Sequence, residues 1–347
     1  MLFIYRVADE QSVRDLIDAR VPNRHGTAIC RIGGGLAVVV PDSDVELAAA
    51  LREFSAEHRM VTDHAEAALS DRLLAPSGSV VPLGASATVG GADFALIAGP
   101  CAVESHQQLA DSAALAKSGG AVALRGGAFK PRTSPYSFQG LGDDGLRMLA
   151  KVSAETGLPV VTEVVDVTVV DAVAEHADVL QIGTRNAQNF SLIRAAGRTG
   201  KPILLKRGFG CTVAEWLQAA EYVLAEGNPH VILCERGIRS FESSTRFTLD
   251  LSAVAVVKHI SHLPVIVDPS HGVGHRHLIK PMALAAAAAG ADGLMVDIHP
   301  DPKAALCDGN QALGEDAWLD LASALRAVLA GLGRSLPAAK PVGAGLS

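Results

Sequence analysis

The chain has 347 residues and carries 37 acidic against 30 basic side chains, a formal net charge of -7. Binding to a nucleic-acid backbone needs a basic surface, so this charge argues against nucleic acid as the main partner. Hydrophobic residues make up 49% and aromatic residues only 4%, which predicts a core of aliphatic side chains, as in layered α/β folds. The five cysteines show no CxxC spacing, so neither a disulfide framework nor a zinc ribbon is expected.

Residues 1–70 have the pattern of a small α+β domain. Four apolar runs, LFIYRV, TAICRI, LAVVVP and HRMVTDH, alternate with helical patterns over 9–20 and 45–57 in the order βαββαβ. This order is typical of a ferredoxin-like unit, which could bind a regulatory ligand or mediate assembly. The N-terminus has no basic segment followed by a long apolar run, so we expect a cytoplasmic protein with no membrane partner.

Residues 71–93 include PSGSVVPLGASATVGG and predict a linker with a short hairpin across the bottom of the next domain. Over 94–333, eight apolar runs alternate with helical patterns, which gives a parallel sheet of strands buried on both faces. The runs are FALIAGP, AVALRGG, PVVTEVV, VLQIGT, PILLKRG, VILCERG, PVIVDPS and GLMVDIH. Eight such units predict a closed (β/α)8 TIM barrel rather than a doubly wound sheet. Residues 334–347 are expected to form a disordered tail.

Basic side chains follow many of the predicted strands. The active sites of TIM barrels lie at the carboxyl ends of the strands, so these side chains should share one mouth. They are Arg125, Lys130, Arg132, Arg185, Lys206 and Arg236. Singly, each is more typical of a surface salt bridge, but together in an acidic protein they indicate a site for phosphorylated substrates.

A second group at the same strand ends offers metal-binding atoms. It consists of Cys101, His271, Asp297 and Asp308. A thiolate, an imidazole and two carboxylates suit one divalent ion of Mn, Fe, Co or Zn better than Mg or Ca. On this reasoning alone, His299 could replace His271, and a cysteine at a strand end is more often structural.

Several long motifs resemble a known enzyme family. They are AGPCAVES, LRGGAFKPRTSPYSFQGLG, QIGTRNAQNF, LLKRG, CERG, VDPSHGVG and HPDPKAALCDGNQAL. Across about 94–313 the chain resembles the 3-deoxy-D-arabino-heptulosonate 7-phosphate (DAHP) synthases of a compact subgroup, which is also similar to 3-deoxy-octulosonate phosphate (KDO8P) synthase. Residues 1–70 resemble the regulatory extension of some members.

The resemblance implies a role for each site residue. Cys101, His271, Asp297 and Asp308 would hold the metal, which would act as a Lewis acid on the aldehyde of erythrose 4-phosphate. Phosphoenolpyruvate would be held by Arg125, Lys130, Arg185, Lys206 and Arg236. Arg132 and Thr133 would hold the phosphate of the aldose. Lys130 is the expected proton donor, and Glu163 and His271 are alternative groups for handling the proton of water.

The resemblance also implies a homo-oligomer, a tetramer in this subgroup, with an aromatic amino acid as effector. The KPRT segment at 130–133 favours erythrose 4-phosphate, because KDO8P synthases have an Asn-Arg-Ser version of it. One position departs from the family pattern, since the third metal ligand is usually Glu and this chain has Asp297. The alternative functions are those of a KDO8P-type synthase, a variant synthase for another aldose phosphate, and a non-catalytic sensor of phosphorylated metabolites.

Overall fold

The computed structural model describes residues 1–21, 26–54, 59–61, 67–131, 134 and 136–336. The N-terminal part is a four-stranded antiparallel sheet in the order β2-β3-β1-β4 with two helices. Its elements are β1 (Leu2–Arg6), α1 (Glu10–Arg20), β2 (Ala28–Ile32), β3 (Gly35–Val39), α2 (Val45–Phe54) and β4 (Arg59–Val61). The chain order and the sheet order together make this the ferredoxin-like arrangement that the sequence predicts.

Eight parallel strands form a closed barrel, as the sequence predicts. They are β7 (Ala95–Gly99), β8 (Ala123–Arg125), β9 (Val160–Val164), β10 (Val179–Ile182), β11 (Ile203–Lys206), β12 (Val231–Glu235), β13 (Val265–Val267) and β14 (Gly293–Asp297). Pairing of the last strand with the first closes the barrel and places Asp297 opposite Gly99. The loop that carries Cys101 therefore begins beside the last residue of β14.

Helices cover the outside of the barrel. They are α3 (His106–Gly119), α4 (Asp143–Thr156), α5 (Val170–His176), α6 (Phe190–Arg198), α7 (Val213–Leu224), α8 (Leu251–Ile260), α9 (Pro269–Val273), α10 (Arg276–Ala288) and α11 (Glu315–Gly331). Local sequence sets their ends: α7 begins with a capping box between Thr212 and Glu215, and α3 is capped at its C-terminus by Gly120, which has a φ of 92°.

A two-stranded hairpin closes the bottom of the barrel. Its strands are β5 (Val81–Leu83) and β6 (Ala87–Val89), which pair antiparallel. Val81, Leu83 and Val89 are fully buried and pack against inward-facing residues of the barrel strands, such as Ile97 and Met295. The hairpin thereby shields the lower end of the barrel core from water.

The end of the barrel domain differs from the sequence prediction. Ser335 bridges to Asp93, and Arg334 donates to the backbone oxygen of Ala291 over 2.6 Å. Leu336 is 9% exposed and belongs to the main core. The prediction of disorder was therefore wrong for 334–336, because apolar burial and backbone pairing hold them. The rest of the predicted tail lies outside the described residues.

The small domain packs against the flank of the barrel. One face of its sheet carries its own helices, whereas Leu2, Ile32 and Ala37 belong to the same hydrophobic core as the barrel helices. On α7, Glu221 accepts hydrogen bonds from the backbone of Leu69 and Ser70. No helix among the described residues is long and apolar enough to cross a membrane.

Candidate active site

The carboxyl ends of the barrel strands surround a cavity of about 480 Å³. Seven cations line it, together with the carboxylates of Glu163 and Asp308. The cations are Arg125, Lys130, Arg185, Lys206, Arg236, Arg239 and Arg246. This concentration of positive charge in a protein of net charge -7 favours multiply charged anions as ligands.

The four predicted metal ligands come together at one side of the cavity. Their ligand atoms lie within 4.8 Å of one another. Cys101 Sγ lies 3.1 Å from Asp308 Oδ2 and 3.9 Å from His271 Nε2, which in turn lies 3.6 Å from both carboxylates. Metal–ligand bonds of ~2.0 to 2.3 Å in tetrahedral geometry separate ligand atoms by about 3.3 to 3.8 Å. The donor atoms and their spacing therefore fit one transition-metal ion.

His271 is oriented by a carboxylate behind it. Its Nδ1 lies 2.8 Å from Asp268 Oδ2, which leaves Nε2 directed at the other three donors. Asp268 is fully buried and also contacts Lys206 Nζ at 2.5 Å. Burial acts to lower the pKa of His271, but the charges of Asp268 and Asp297 outweigh it and raise that pKa to about 9. A carboxylate behind a histidine is a common second layer of metal sites, where it fixes the ring and strengthens its basicity.

Asp297 ends β14 and is completely buried. Its Oδ2 accepts a hydrogen bond of 2.7 Å from Gln311 Nε2, and its Oδ1 lies 3.1 Å from Arg125 Nη1. Gln311 in turn accepts from Arg246 at 3.0 Å. Two side chains thus hold the short Asp297 carboxylate beside His271, although the family pattern has Glu here. Its neighbour His299 points to Glu104 instead, with 3.5 Å between Nε2 and Oε2.

Asp308 has an unusual backbone. Its φ of 53° makes it the one non-glycine residue with positive φ in the described parts of the chain. Such conformations are uncommon outside glycine and concentrate at functional sites, although Asp adopts them more readily than most residues. Burial opposes ionisation of Asp308, but His271 outweighs it and the pKa falls to about 2. The side chain is therefore an anion at neutral pH, as a metal ligand must be.

Lys130 lies on the metal-binding side of the cavity. Its ammonium nitrogen lies 3.1 Å from Cys101 Sγ and donates to the backbone oxygen of Cys101 at 2.8 Å. A side chain at Gly127 would collide with Lys130, so glycine opens the path. Burial acts to lower the pKa of Lys130, but the negative charge of Cys101 in its thiolate form, with smaller contributions from Cys307 and Glu163, outweighs it and raises that pKa. Lys130 is therefore protonated at neutral pH.

The predicted phosphoenolpyruvate residues differ in exposure. Arg125, Lys206 and Arg236 are each 4% exposed, whereas Arg185 stands exposed at the rim. Glu163 faces the cavity and accepts a hydrogen bond from Gln181, and any side chain at Gly183 would overlap its carboxylate. All these residues line one cavity, as the strand ends predict. Arg132 and Thr133, assigned to the aldose phosphate, lie outside the described residues.

The residues of the cavity that the sequence did not predict include two phenylalanines and two arginines. Phe209 and Phe247 stack with ring centroids 5.1 Å apart, and the Arg236 guanidinium lies 4.1 Å from the Phe247 centroid. Arg239 and Arg246 lie over the same rings. Both arginines come from the loop after β12, in ERGIRSFESSTRF, and a count of basic residues beyond the strand end would have found them.

Comparisons with known proteins show the family of this chain. The model of the DAHP synthetase I family matches residues 80–327. The chain belongs to this family. A phospho-2-dehydro-3-deoxyheptonate aldolase of Thermotoga maritima is 48% identical over 265 residues, 76% of this chain and 78% of its own. A 2-dehydro-3-deoxyphosphooctonate aldolase of Syntrophotalea carbinolica is 36% identical, over 64% of this chain and 86% of its own.

Solved structures extend the match to the whole chain. The crystal structure of the Thermotoga maritima DAHP synthase superposes with a TM-score of 0.77 at 39% identity, covering 97% of this chain and 98% of that one. A truncated form of the same synthase covers 79% of this chain and all of its own length, with a TM-score of 0.74 and 44% identity. The resemblance and the fold class predicted from the sequence are confirmed.

Proposed function

We propose that this DAHP synthase family member condenses phosphoenolpyruvate with erythrose 4-phosphate and water to give DAHP and phosphate, the first step of the shikimate pathway to aromatic amino acids. The observation that carries this proposal is the position of seven cations around one cavity beside four side chains that could hold a metal ion. Phosphoenolpyruvate and erythrose 4-phosphate together bring two phosphates and a carboxylate, which such a cavity can neutralise.

Phosphoenolpyruvate would occupy the floor of the cavity. The buried cations Arg125, Lys206 and Arg236 would bind its carboxylate and phosphate, with Arg185 closing over the phosphate from the rim. Charge–charge contacts gain strength where water is excluded, so the buried cations would also stabilise the charge that shifts as phosphate leaves. The stacked rings of Phe209 and Phe247 would keep the Arg236 guanidinium in place.

Cys101, His271, Asp297 and Asp308 would hold one divalent ion of Mn, Fe, Co or Zn. The ion would supply Lewis acidity at the aldehyde oxygen and so make the aldehyde carbon a better electrophile. Arg132 and Thr133 would bind the aldose phosphate. The Asp297 carboxylate is held among the other three donors, which favours a metal-competent enzyme over a non-catalytic sensor.

Two residues would carry out the proton transfers. Lys130 is protonated and lies beside the proposed metal ligand Cys101, so it would donate to the oxygen that forms from the aldehyde. Both ring nitrogens of His271 are engaged, one with Asp268 and one among the metal ligands. Glu163 faces the cavity and is therefore the preferred base for the water that adds to phosphoenolpyruvate.

The decisive experiment measures phosphate release from phosphoenolpyruvate with erythrose 4-phosphate or arabinose 5-phosphate, each with and without a chelator. We expect turnover with the four-carbon aldose that the chelator abolishes and an added divalent ion restores. Preference for arabinose 5-phosphate would favour the activity named for the Syntrophotalea relative. Phosphate release with neither aldose would contradict the proposal.

Three further features are part of the same proposal. An aromatic amino acid would bind the ferredoxin-like domain and inhibit the barrel, and the chain would assemble as a homo-oligomer, a tetramer as in the resembling subgroup. A cytoplasmic location is proposed from the N-terminal sequence. Inhibitor titration, sedimentation and cell fractionation test these three features independently.

A further inference from the structure

Arg236 is a buried cation of the cavity that forms no ion pair within the described parts of the chain. Its guanidinium donates to the backbone oxygens of Gly237 at 3.2 Å and His271 at 3.4 Å. It also lies beside the rings of Phe209, in the loop after β11, and Phe247, in the loop after β12. The position of this cation therefore depends on the two loops that carry the rings.

A buried ion-pair network lies behind the ends of β11 and β12. Side chains alternate along a strand, so Arg207 and Glu235 point away from the cavity that their neighbours line. They are 4% and 0% exposed. Arg207 Nη1 lies 2.9 Å from both Glu235 Oε2 and Asp250 Oδ2, and its guanidinium lies 5.9 Å from the ring of Trp216 on α7. The network thus fills the space between the barrel wall and the helices around it.

The same network holds the attachment points of both loops. In the loop after β11, Arg207 Nε donates to the backbone oxygen of Cys211 at 2.9 Å. In the loop after β12, Glu235 Oε1 accepts from the backbone N–H groups of Gly237 at 2.6 Å and Asp250 at 3.4 Å. Those two N–H groups belong to the first and last parts of this loop, so one buried carboxylate joins its two ends.

We propose that Arg207, Glu235 and Asp250 are positioning residues that hold Arg236 in place for phosphoenolpyruvate. The inference rests on the proposed binding of phosphoenolpyruvate by Arg236. None of the three lines the cavity, so they act through the two loops and their stacked rings rather than on the substrate. The planar fork of an arginine can serve two carboxylates and a carbonyl at once, which the point charge of a lysine cannot do.

Glu235→Gln is the critical variant, because it keeps the size of the side chain and removes the charge that faces Arg207. Arg207 retains Asp250 as a partner, so the fold should survive. Calorimetric titration of the Mn²⁺-loaded protein with phosphoenolpyruvate should show a dissociation constant raised by about 10- to 100-fold, since a displacement of ~1 Å can have an effect of this size. The KM for phosphoenolpyruvate should rise by a similar factor, with a smaller fall in kcat.

Glu226→Gln is the matched control. Glu226 also lies between two arginines, with Arg194 at 2.6 Å and Arg198 at 2.9 Å, but it does not line the cavity. This variant should bind phosphoenolpyruvate as wild type does. Asp250→Asn is a second test variant, because asparagine is as good an N-cap for α8 as aspartate and only the charge that faces Arg207 is lost. It should weaken binding in the same direction as Glu235→Gln.

A double-mutant cycle separates positioning from general destabilisation. In Arg236→Lys the guanidinium that the network positions is absent, so adding Glu235→Gln should weaken phosphoenolpyruvate binding by less than about 2-fold further. An equal loss in both backgrounds would overturn the positioning role. Unchanged affinity in Glu235→Gln with a lower free energy of unfolding in urea would also overturn it. Wild-type protein that does not bind phosphoenolpyruvate would instead contradict the proposed function.

Discussion

Asp297 occupies the position at which the resembled family pattern usually has Glu. Replacing Glu by Asp shortens the side chain by about 1.5 Å, so the position of the carboxylate depends on its partners. The structure supplies two of them, Arg125 at 3.1 Å and Gln311 at 2.7 Å. The departure is therefore compatible with a ligand role, because neighbouring side chains hold the shorter carboxylate within 3.6 Å of His271 Nε2.

We expect Asp297→Ala to lose most of its metal affinity and Asp297→Glu to retain the metal and much of the activity. The Ala variant also leaves Arg125 buried without its carboxylate, which typically costs ~3 to 5 kcal/mol of folding free energy. Cobalt titration followed by absorption measures the affinity, and urea unfolding measures the stability. Unchanged metal affinity in the Ala variant would remove Asp297 from the site.

Cys101→Ala should abolish activity as completely as chelation does, since the soft thiolate anchors the ion. The barrel should remain folded, because Cys101 lies in a small cluster above the core rather than within it. Circular dichroism checks the fold, and phosphate release with added Mn²⁺ checks the activity. A chelated enzyme with full turnover would show that no metal takes part.

Gln311 is expected to position Asp297 rather than to touch substrate. It donates to Asp297 and accepts from Arg246, so Gln311→Ala should weaken metal affinity by about 10- to 100-fold, as the loss of such partners usually does. Cobalt affinity is the measurement, and saturating cobalt should restore much of the turnover. Gln107→Ala, an exposed glutamine on α3, is the control. Equal affinities in the two variants would contradict the role.

At the scale of elements, the strands were predictable, but residues far along the loops were not. Continuous apolar runs predicted the strands β7 to β14, and the polar residues after these runs were predicted to line the mouth of the barrel. The sequence analysis missed Arg239, Arg246 and Gln311 because it followed only the first polar residues after each strand, and farther along a loop no period relates a residue to its direction. The order of residues 334–336 was not predicted because Asp93, which pairs with Ser335, lies far away in sequence.

Hydrogen bonds with His262 hold the segment before the hairpin against the barrel. Its Nε2 contacts the backbone oxygen of Leu69 at 2.8 Å, and its Nδ1 contacts Ser79 Oγ at 2.8 Å. Burial lowers the pKa of His262 in the folded state, and nearby Arg72 adds to this whereas Asp71 opposes it. The neutral ring therefore stabilises the fold, and this contribution is lost as pH falls below the unfolded value of ~6.5.

We expect the free energy of unfolding to fall more steeply between pH 7.5 and pH 5.5 in wild type than in His262→Gln. The glutamine cannot acquire a charge, so it removes this titration from the folding equilibrium. Urea unfolding at the two pH values measures the difference. His259→Gln, an exposed position near the end of α8, should retain the wild-type dependence. Parallel curves for all three proteins would exclude His262 as the cause.

At the scale of the whole molecule, the sequence predicted two domains but not how they meet. Both faces of the small sheet are apolar, with Phe3 and Leu36 toward its own helices and Leu2 and Ala37 toward the barrel. Alternation identifies two faces but not their partners. The structure shows that the barrel flank around α7 covers the second face.

Removing the small domain should therefore leave an active barrel that aromatic amino acids no longer inhibit. The truncation should be made before residue 67. Leu69, Ser70 and Ser79 form hydrogen bonds with the barrel, and the hairpin that follows them closes the lower end of the barrel. A truncated Thermotoga maritima relative matches 79% of this chain, which indicates that such a barrel can stand alone. If the effector site and the active site are coupled only through the small domain, removal of that domain also removes the coupling.

The measurement is phosphate release by the full chain and by residues 67–347 across a titration of Phe, Tyr and Trp. We expect one of the three to inhibit the full chain and none to inhibit the shorter protein. The truncation uncovers apolar residues on the flank of the barrel. Leu217→Lys on α7 should not be used to improve the solubility of the shorter protein, because that side chain is 4% exposed and part of the core. Inhibition that persists without the small domain would place the effector on the barrel. A full chain indifferent to all three amino acids would leave the domain a structural role, as a cover for the α7 flank.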